Sequence, residues 1–323
     1  MFRRRWFSTG SSGVWNPRVK RAPVSSIPSF LPSVSSSVIV LGVQLDSNSS
    51  FLTGSASAPD VIRAAFHSDS ANSFAENGVD LMHNPAITDM GNLLPSSMST
   101  LSAAAHTIIH HEKRLLTLGG DHSITYPLVK GVRRALCVRG ETRLNILHFD
   151  AHSDLYEYDV LNQGNRYSHA SPFARILEEG LCSRIVQVGV RTHTKHTREQ
   201  AATYGVETYE MKDIEDKWQE LTRLSFDGPV YLSLDIDCLD PAFAPGVSHY
   251  EPGGLSTRQV LTLLQRFQGN LIAADLVELN PSRDVGKGTA PSITGEVPSG
   301  ITAMVAAKLA KEILGRMCAD ESD

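Results

Sequence analysis

His148-Phe-Asp150-Ala-His152-Ser-Asp154 and Ser233-Leu-Asp235-Ile-Asp237-Cys-Leu-Asp240-Pro241 each follow an apolar run and then crowd acids and imidazoles into a few positions. The runs 144–149 and 230–236 have the length and composition of buried strands. In extended backbone successive side chains alternate faces, so Asp150, His152 and Asp154 are expected on one face, and Asp235 and Asp237 on another. Free charge in such surroundings is costly unless it is paired or binds metal. The two strings therefore read as two halves of one metal site, placed beyond the carboxyl ends of strands, where open α/β sheets hold their ligands.

Working outward, Leu115-Leu-Thr-Leu-Gly119-Gly120-Asp121-His122-Ser123 reads as a short strand closed by a glycine turn. It delivers Asp121 or His122 to the same end of the sheet, with His122 the candidate ligand. Four converging carboxylates, Asp150, Asp154, Asp235 and Asp237, would repel one another in a low dielectric, and two divalent cations would neutralise them. Carboxylate oxygens with a minority of imidazole suit Mn²⁺, whereas structural zinc favours thiolates.

Further apolar runs at 38–43, 185–190 and 271–277 alternate with helix-like stretches at 58–66, 98–114, 126–138, 171–179, 257–268 and 302–317. Strands alternating with helices predict a parallel sheet covered on both faces. The expected fold is α/β: a single-domain three-layer α/β/α arrangement around a central, mostly parallel sheet, spanning 38–323. The breaker-rich segment 281–300 is expected to be a mobile loop beside the site.

Four blocks resemble the ureohydrolases, the family of arginase and agmatinase, which hydrolyse guanidino groups to release urea. They are Leu118-Gly-Gly-Asp-His122-Ser, the His148 to Asp154 string, the Ser233 to Pro241 string continued through Gly253-Gly254, and Val277-Glu278-Leu-Asn280-Pro281. Asn165-Arg-Tyr-Ser168-His169-Ala-Ser171 and Val247-Ser-His249-Tyr-Glu-Pro-Gly-Gly254 are similar to plant-type arginases in particular. The resemblance covers about residues 38 to 315.

That resemblance implies an arginase-like fold and two Mn²⁺ per subunit. His122, Asp150, Asp154 and Asp235 would hold one ion, and Asp150, His152, Asp235 and Asp237 the other. It implies hydrolysis of L-arginine to urea and L-ornithine by a metal-bridging hydroxide, with agmatine or another guanidino compound as the alternative substrate. Asp154 would hold the hydroxide's hydrogen and His169 would protonate the leaving amine. Glu278, a carboxylate in an apolar run, would receive the planar guanidinium. Asn162, Asn165, Arg166 and Ser168 are candidate contacts for the far end of the substrate, and His249 is placed to line the pocket. Homotrimers or homohexamers are implied. A two-metal phosphoesterase would need cationic phosphate contacts, where these blocks offer Glu278. A silent, metal-stabilised subunit is the non-enzyme reading. His193 and His196 read as surface histidines rather than a further metal site.

Residues 1–37 contain six Lys or Arg, ten Ser and no Asp or Glu, a composition like that of a mitochondrial transit peptide for the matrix, with plastid targeting as the alternative. The chain's formal charge is −5, so without those six positive charges the remainder carries −11, which disfavours nucleic-acid binding. No apolar stretch reaches the roughly eighteen residues of a membrane span. Cys137, Cys182, Cys238 and Cys318 form no CxxC pair and suggest a reducing compartment.

Overall fold

The computed structural model describes residues 35–95, 97–286 and 300–319. Eight strands form one sheet: β1 (Val38–Val43), β2 (Ile87–Leu93), β3 (Arg114–Leu118), β4 (Asn145–Phe149), β5 (Arg184–Val190), β6 (Glu207–Glu210), β7 (Ser225–Asp235) and β8 (Gln268–Val277). Their order is β2-β1-β3-β8-β7-β4-β5-β6, and every described pair is parallel. The chain builds the two flanks first and returns with β7 and β8 to fill the centre. The four central strands, β3, β8, β7 and β4, therefore end side by side, and they are the strands that carry the four sequence blocks.

Eight helices cover the sheet. α1 (Ala58–Phe66), α6 (Ile214–Leu221), α7 (Thr257–Arg266) and α8 (Ile301–Ala319) share one core with Val38 and Val40. α2 (Met98–His110), α3 (Thr125–Val138), α4 (Pro172–Glu178) and α5 (Lys195–Tyr204) pack with Ile39, Leu41 and Val43 on the other side, apart from α5, which contributes Ala201 alone. The period of two along β1 thus divides one apolar run between two cores, as a sheet buried on both faces requires. Ser256 and Gln259 close a capping box at α7, as the Thr194–Thr197 pair does at α5.

Two strands and two helices were not expected. β2 reads as polar because buried Asp89 receives Arg63 of α1 in a double bond of 2.7 and 2.8 Å. β6 is a four-residue edge strand whose glutamates pair with Arg184 and Arg198. α5 and α6 bury only a few side chains each, so their apolar stripes are short. The stretch expected as helix over 98–114 stops at His110: Glu112 adopts a left-handed φ of 59°, and Arg114 enters β3 with its N–H on Ser37 O.

Ser36 is buried and Ser37 donates to Ala86 O, so both belong to the folded body; residues 1–34 of the basic N-terminal stretch expected as a transit peptide lie outside the described residues. Of the expected loop 281–300, residues 281–286 form a turn in which Asp284 accepts from the N–H groups of Thr302 and Ala303, and 287–299 lie outside the described residues. No described helix is long and apolar enough to cross a membrane.

Candidate metal centre and cavity

The ligand strings do not converge by strand alternation. β4 ends at Phe149, and 150–154 turn across the strand end; β7 ends at Asp235, and Asp237 sits in a single 3-10 turn. Local hydrogen bonds make these turns. Asp150 Oδ1 accepts from His152 N at 2.6 Å, Asp235 Oδ1 accepts from Asp237 N at 2.9 Å, and Asp237 Oδ1 accepts from Ala151 N at 3.1 Å, which ties the two strings together. Asp154 and Glu278 have φ of 51° and 64°, left-handed values that non-glycine residues rarely hold. Strain of this kind persists where surrounding contacts over-determine it, here at two carboxylates that line one cavity.

Gly119 and Gly120 bring His122 into the group. A Cβ on Gly120 would lie 1.8 Å from Leu45 O, so only glycine allows the contact by which Asp121 N donates to Leu45 O. His122 N then donates to Glu278 Oε1 at 2.8 Å. Asp121 faces away and accepts from Asn48 N and Ser123 N, which leaves His122 as the strand-end residue at the centre. The glycine pair Gly253-Gly254 serves structure: both N–H groups donate to Asp240 Oδ2, closing the loop after β7.

His122 Nδ1 lies 3.2 Å from Asp150 Oδ2, 3.0 Å from Asp154 Oδ2 and 3.3 Å from Asp235 Oδ2, yet this buried nitrogen makes no hydrogen bond of good geometry. His152 Nδ1 lies 3.3 Å from Asp150 Oδ1 and 3.1 Å from Asp237 Oδ2. The two oxygens of Asp150 thus face two clusters, as a carboxylate shared by two ions would. This donor set of carboxylates and imidazoles fits a pair of divalent cations. Burial, reinforced by Asp237 and Asp150, pushes Asp235 well above the usual carboxylate range, and burial with Asp150 raises Asp154. Burial lowers His122, but its carboxylate neighbours outweigh that and hold it well above the usual value. Burial would raise Asp150 too, but His122, His148 and His152 outweigh it and hold this carboxyl well below the usual range; crowded negative charge of this kind is what bound cations would offset.

Groups close enough to share an ion are His122–His148–Asp150 and Asp150–His152–Asp237. Both nitrogens of His148, however, are engaged: Nε2 lies 2.8 Å from Asp150 Oδ2, and Nδ1 faces Gln187 Nε2 at 3.0 Å, an amide fixed by its 2.7 Å bond to Ser153 O. Gln187 donates, so His148 donates to Asp150 and orients it. Likewise His122 Nε2 meets Ser233 Oγ at 2.9 Å, and Ser233 donates to Asp275, which also receives Tyr231 and Thr125. Arg191 donates to the carbonyls of Asp237, Leu239 and Glu251 and supports the following loop. The sequence reading passed over these supporting groups, since a lone buried Gln or Ser carries no periodic signal.

A cavity of about 380 Å³ opens from the centre, bordered by Ser50, Asp154, Tyr156, His169, His249 and Glu278 among others. Glu278 is paired with His169 Nδ1 at 3.0 Å rather than with an arginine. Burial pulls the His169 ring down, but Glu278 more than offsets this and raises it to about 9. His249 lies 5.4 Å from His169 and 5.8 Å from His152 by ring centroids, and burial with those two rings lowers it.

The four expected substrate contacts of this loop sit elsewhere. Asn162 donates to Asn48 O, Asn165 donates to Asn48 Oδ1, Ser168 donates to buried Asp159 and Arg166 pairs with Glu178; none of the four borders the cavity. Their loop instead offers Asp159, Val160 and Leu161 to the mouth. His193 bonds Thr197, and His196 accepts from Glu157 N while stacking on Tyr156; neither belongs to a described ion-sharing group.

A wholly parallel sheet whose central strand ends gather four aspartates, two imidazoles and a cavity defines a class, the α/β proteins with a candidate two-metal site beyond their strand ends. Comparisons narrow this class. The Arginase family pattern matches residues 36–315. Mitochondrial arginase 1 of Oryza sativa subsp. indica is 43% identical over 302 residues, covering 89% of this chain and 83% of that protein. The mitochondrial agmatinase of Gallus gallus is 34% identical over 267 residues, covering 77% and 76%. The solved arginase of Medicago truncatula superposes with a TM-score of 0.79 at 40% identity, covering 91% of this chain and 92% of that one. The chain belongs to the arginase family and is an enzyme of ureohydrolase type.

Proposed function

We propose that this protein hydrolyses the guanidino group of L-arginine to urea and L-ornithine with two Mn²⁺ ions. The observation that carries this reading is the shared carboxylate Asp150, one oxygen toward His122 and the other toward His152, in a chain 43% identical to a plant arginase. His122, Asp150, Asp154, Asp235, His152 and Asp237 would hold the ions. When bound, such ions lower the pKa of a water from near 16 to about 7 and so supply a nucleophile at neutral pH.

The chain's own groups do the rest. Glu278, held by His122 N–H in a strained backbone, presents a carboxylate to the guanidinium and sets its carbon over the strand ends. His169, at 3.0 Å from Glu278, supplies the proton that the leaving amine needs. Tyr156, Val160 and Leu161 close the mouth around the substrate's aliphatic stem.

Agmatine is the second reading, favoured by the 34% identity to an agmatinase and by a cavity border without Lys or Arg among the described residues. The composition of residues 1–37 and the mitochondrial relatives support a mitochondrial location, and trimers or hexamers are the proposed assembly. Urea release from arginine and agmatine at matched concentrations, with Mn²⁺ and with Asp235→Ala as control, tests the activity. Preference for arginine is expected; urea from agmatine alone would reassign the substrate, and urea from neither would overturn both.

A further inference from the structure

Both ring nitrogens of His169 are occupied inside the protein. Nδ1 faces Glu278 Oε1 at 3.0 Å, while Nε2 lies 2.8 Å from Ser50 Oγ and 3.2 Å from the backbone nitrogen of Ser50. A backbone N–H can only donate, so Nε2 presents its lone pair to Ser50. The single proton of the neutral ring then sits on Nδ1 and points at Glu278. His169 borders the cavity, but with both nitrogens engaged a proton leaving Nε2 passes first to the Ser50 hydroxyl bonded there.

Ser50 is built into place. Asn48 O accepts from His169 N at 3.2 Å, Asn48 N donates to Asp121 Oδ2 at 2.9 Å, and its amide donates to Ser123 Oγ at 3.0 Å. The same residue receives Asn162 and Asn165, which explains why these two face away from the cavity. Segment 48–50 is thus clamped between the His122 turn and the 162–169 loop, and it delivers the Ser50 hydroxyl to the cavity border.

We propose that Ser50 is a catalytic residue whose hydroxyl relays the proton between His169 and the leaving amine, while its backbone N–H selects the ring tautomer. This rests on the guanidino-hydrolase reading above. The proton is one given up by the attacking water, held on Nε2 of the cationic ring and bonded to Ser50 Oγ. As the C–N bond breaks, the leaving nitrogen keeps the electron pair and takes the Ser50 hydroxyl proton. Ser50 Oγ recovers a proton from Nε2, and the ring returns to the neutral Nδ1–H form. In the cationic state Glu278, 3.0 Å from Nδ1, holds the ring's charge until the leaving nitrogen draws the proton through Ser50.

The full chain, loaded with Mn²⁺, is compared with Ser50→Ala and Ser50→Thr. In the alanine variant kcat should fall about 100-fold, the low end of the range for positioned proton transfer, while KM and bound metal stay unchanged. Threonine keeps the hydroxyl and should restore most of kcat. Independently of turnover, diethyl pyrocarbonate should modify His169 several-fold faster in the alanine variant, because Nε2 has lost a hydrogen-bond partner, with His249 modified at the same rate. Wild-type kcat in Ser50→Ala would overturn the relay. If wild-type protein releases urea from neither substrate, the function reading fails, and the His169 modification rate decides alone: equal rates would overturn the Ser50 contact. Should the alanine variant not fold, Ser50→Cys, close in size, takes its place under the same criteria.

Discussion

The cluster at the central strand ends and the 156–168 loop above it are both rich in polar side chains, yet they use them in opposite ways. At the strand ends His122, Asp150, Asp154 and Asp235 turn their polar atoms toward one point and leave His122 Nδ1 without a good hydrogen bond. In the loop, Asp159 accepts from Leu161 N, Asn162 N and Ser168 Oγ, and Asn162 and Asn165 bond Asn48. One region holds unspent bonding capacity where a ligand can use it; the other satisfies itself and shapes a wall. Polar residues near a cavity therefore divide into those that keep bonding capacity for a ligand and those that spend it on shaping the wall.

The sharpest break of this contrast is Asp235→Ala. Removing the carboxylate whose Oδ2 faces His122 should abolish urea release and lower bound metal, read by elemental analysis, while the fold persists because like-charge repulsion falls. His148→Ala tests the layer beneath: losing the donor that orients Asp150 should cost about 10- to 100-fold in metal affinity or activity.

Acid stability sharpens the contrast from outside both regions. His67, half-buried at the end of α1, has its pKa lowered to about 4, chiefly by that burial. The unfolded chain takes up this proton below about 6.5, while the native state refuses it until about 4, so stability falls as pH drops through that window. A loss of about 2 kcal/mol from His67, discounted for partial exposure, is expected with or without metal, and the metal-loaded protein should lose further stability as protonation of the centre releases its ions. Chemical denaturation from pH 7 to 4 checks this. The smallest effect belongs to the mouth: Leu161→Ser, exposed at 81%, should change stability by within about 0.5 kcal/mol and move only KM.

Much of this arrangement was legible beforehand, for physical reasons. The six central runs were apolar enough to read as strands, and the acids that follow them marked the sheet end. Edge strands β2 and β6 were hidden because their charges are paired by Arg63, Arg184 and Arg198, partners distant in sequence. Asn162, Asn165 and Ser168 were credible contacts in a polar loop until Asn48 and Asp159 claimed them. Ser50 gave no signal at all in a Ser-rich stretch.

What the sequence determined by itself was composition and phase: which runs are buried, which acids and imidazoles close them, and that a sheet covered on both faces results. Those follow from periodicity and desolvation, which act within a few residues. Only the tertiary structure decided which atoms meet. Asp154 and Glu278 reach the cavity through left-handed backbone, Asp150 divides its oxygens between two imidazoles, and His148, Gln187 and Ser50 complete the hydrogen bonds. Such contacts depend on the late return of β7 and β8 to the centre of the sheet, a long-range choice that no local pattern encodes.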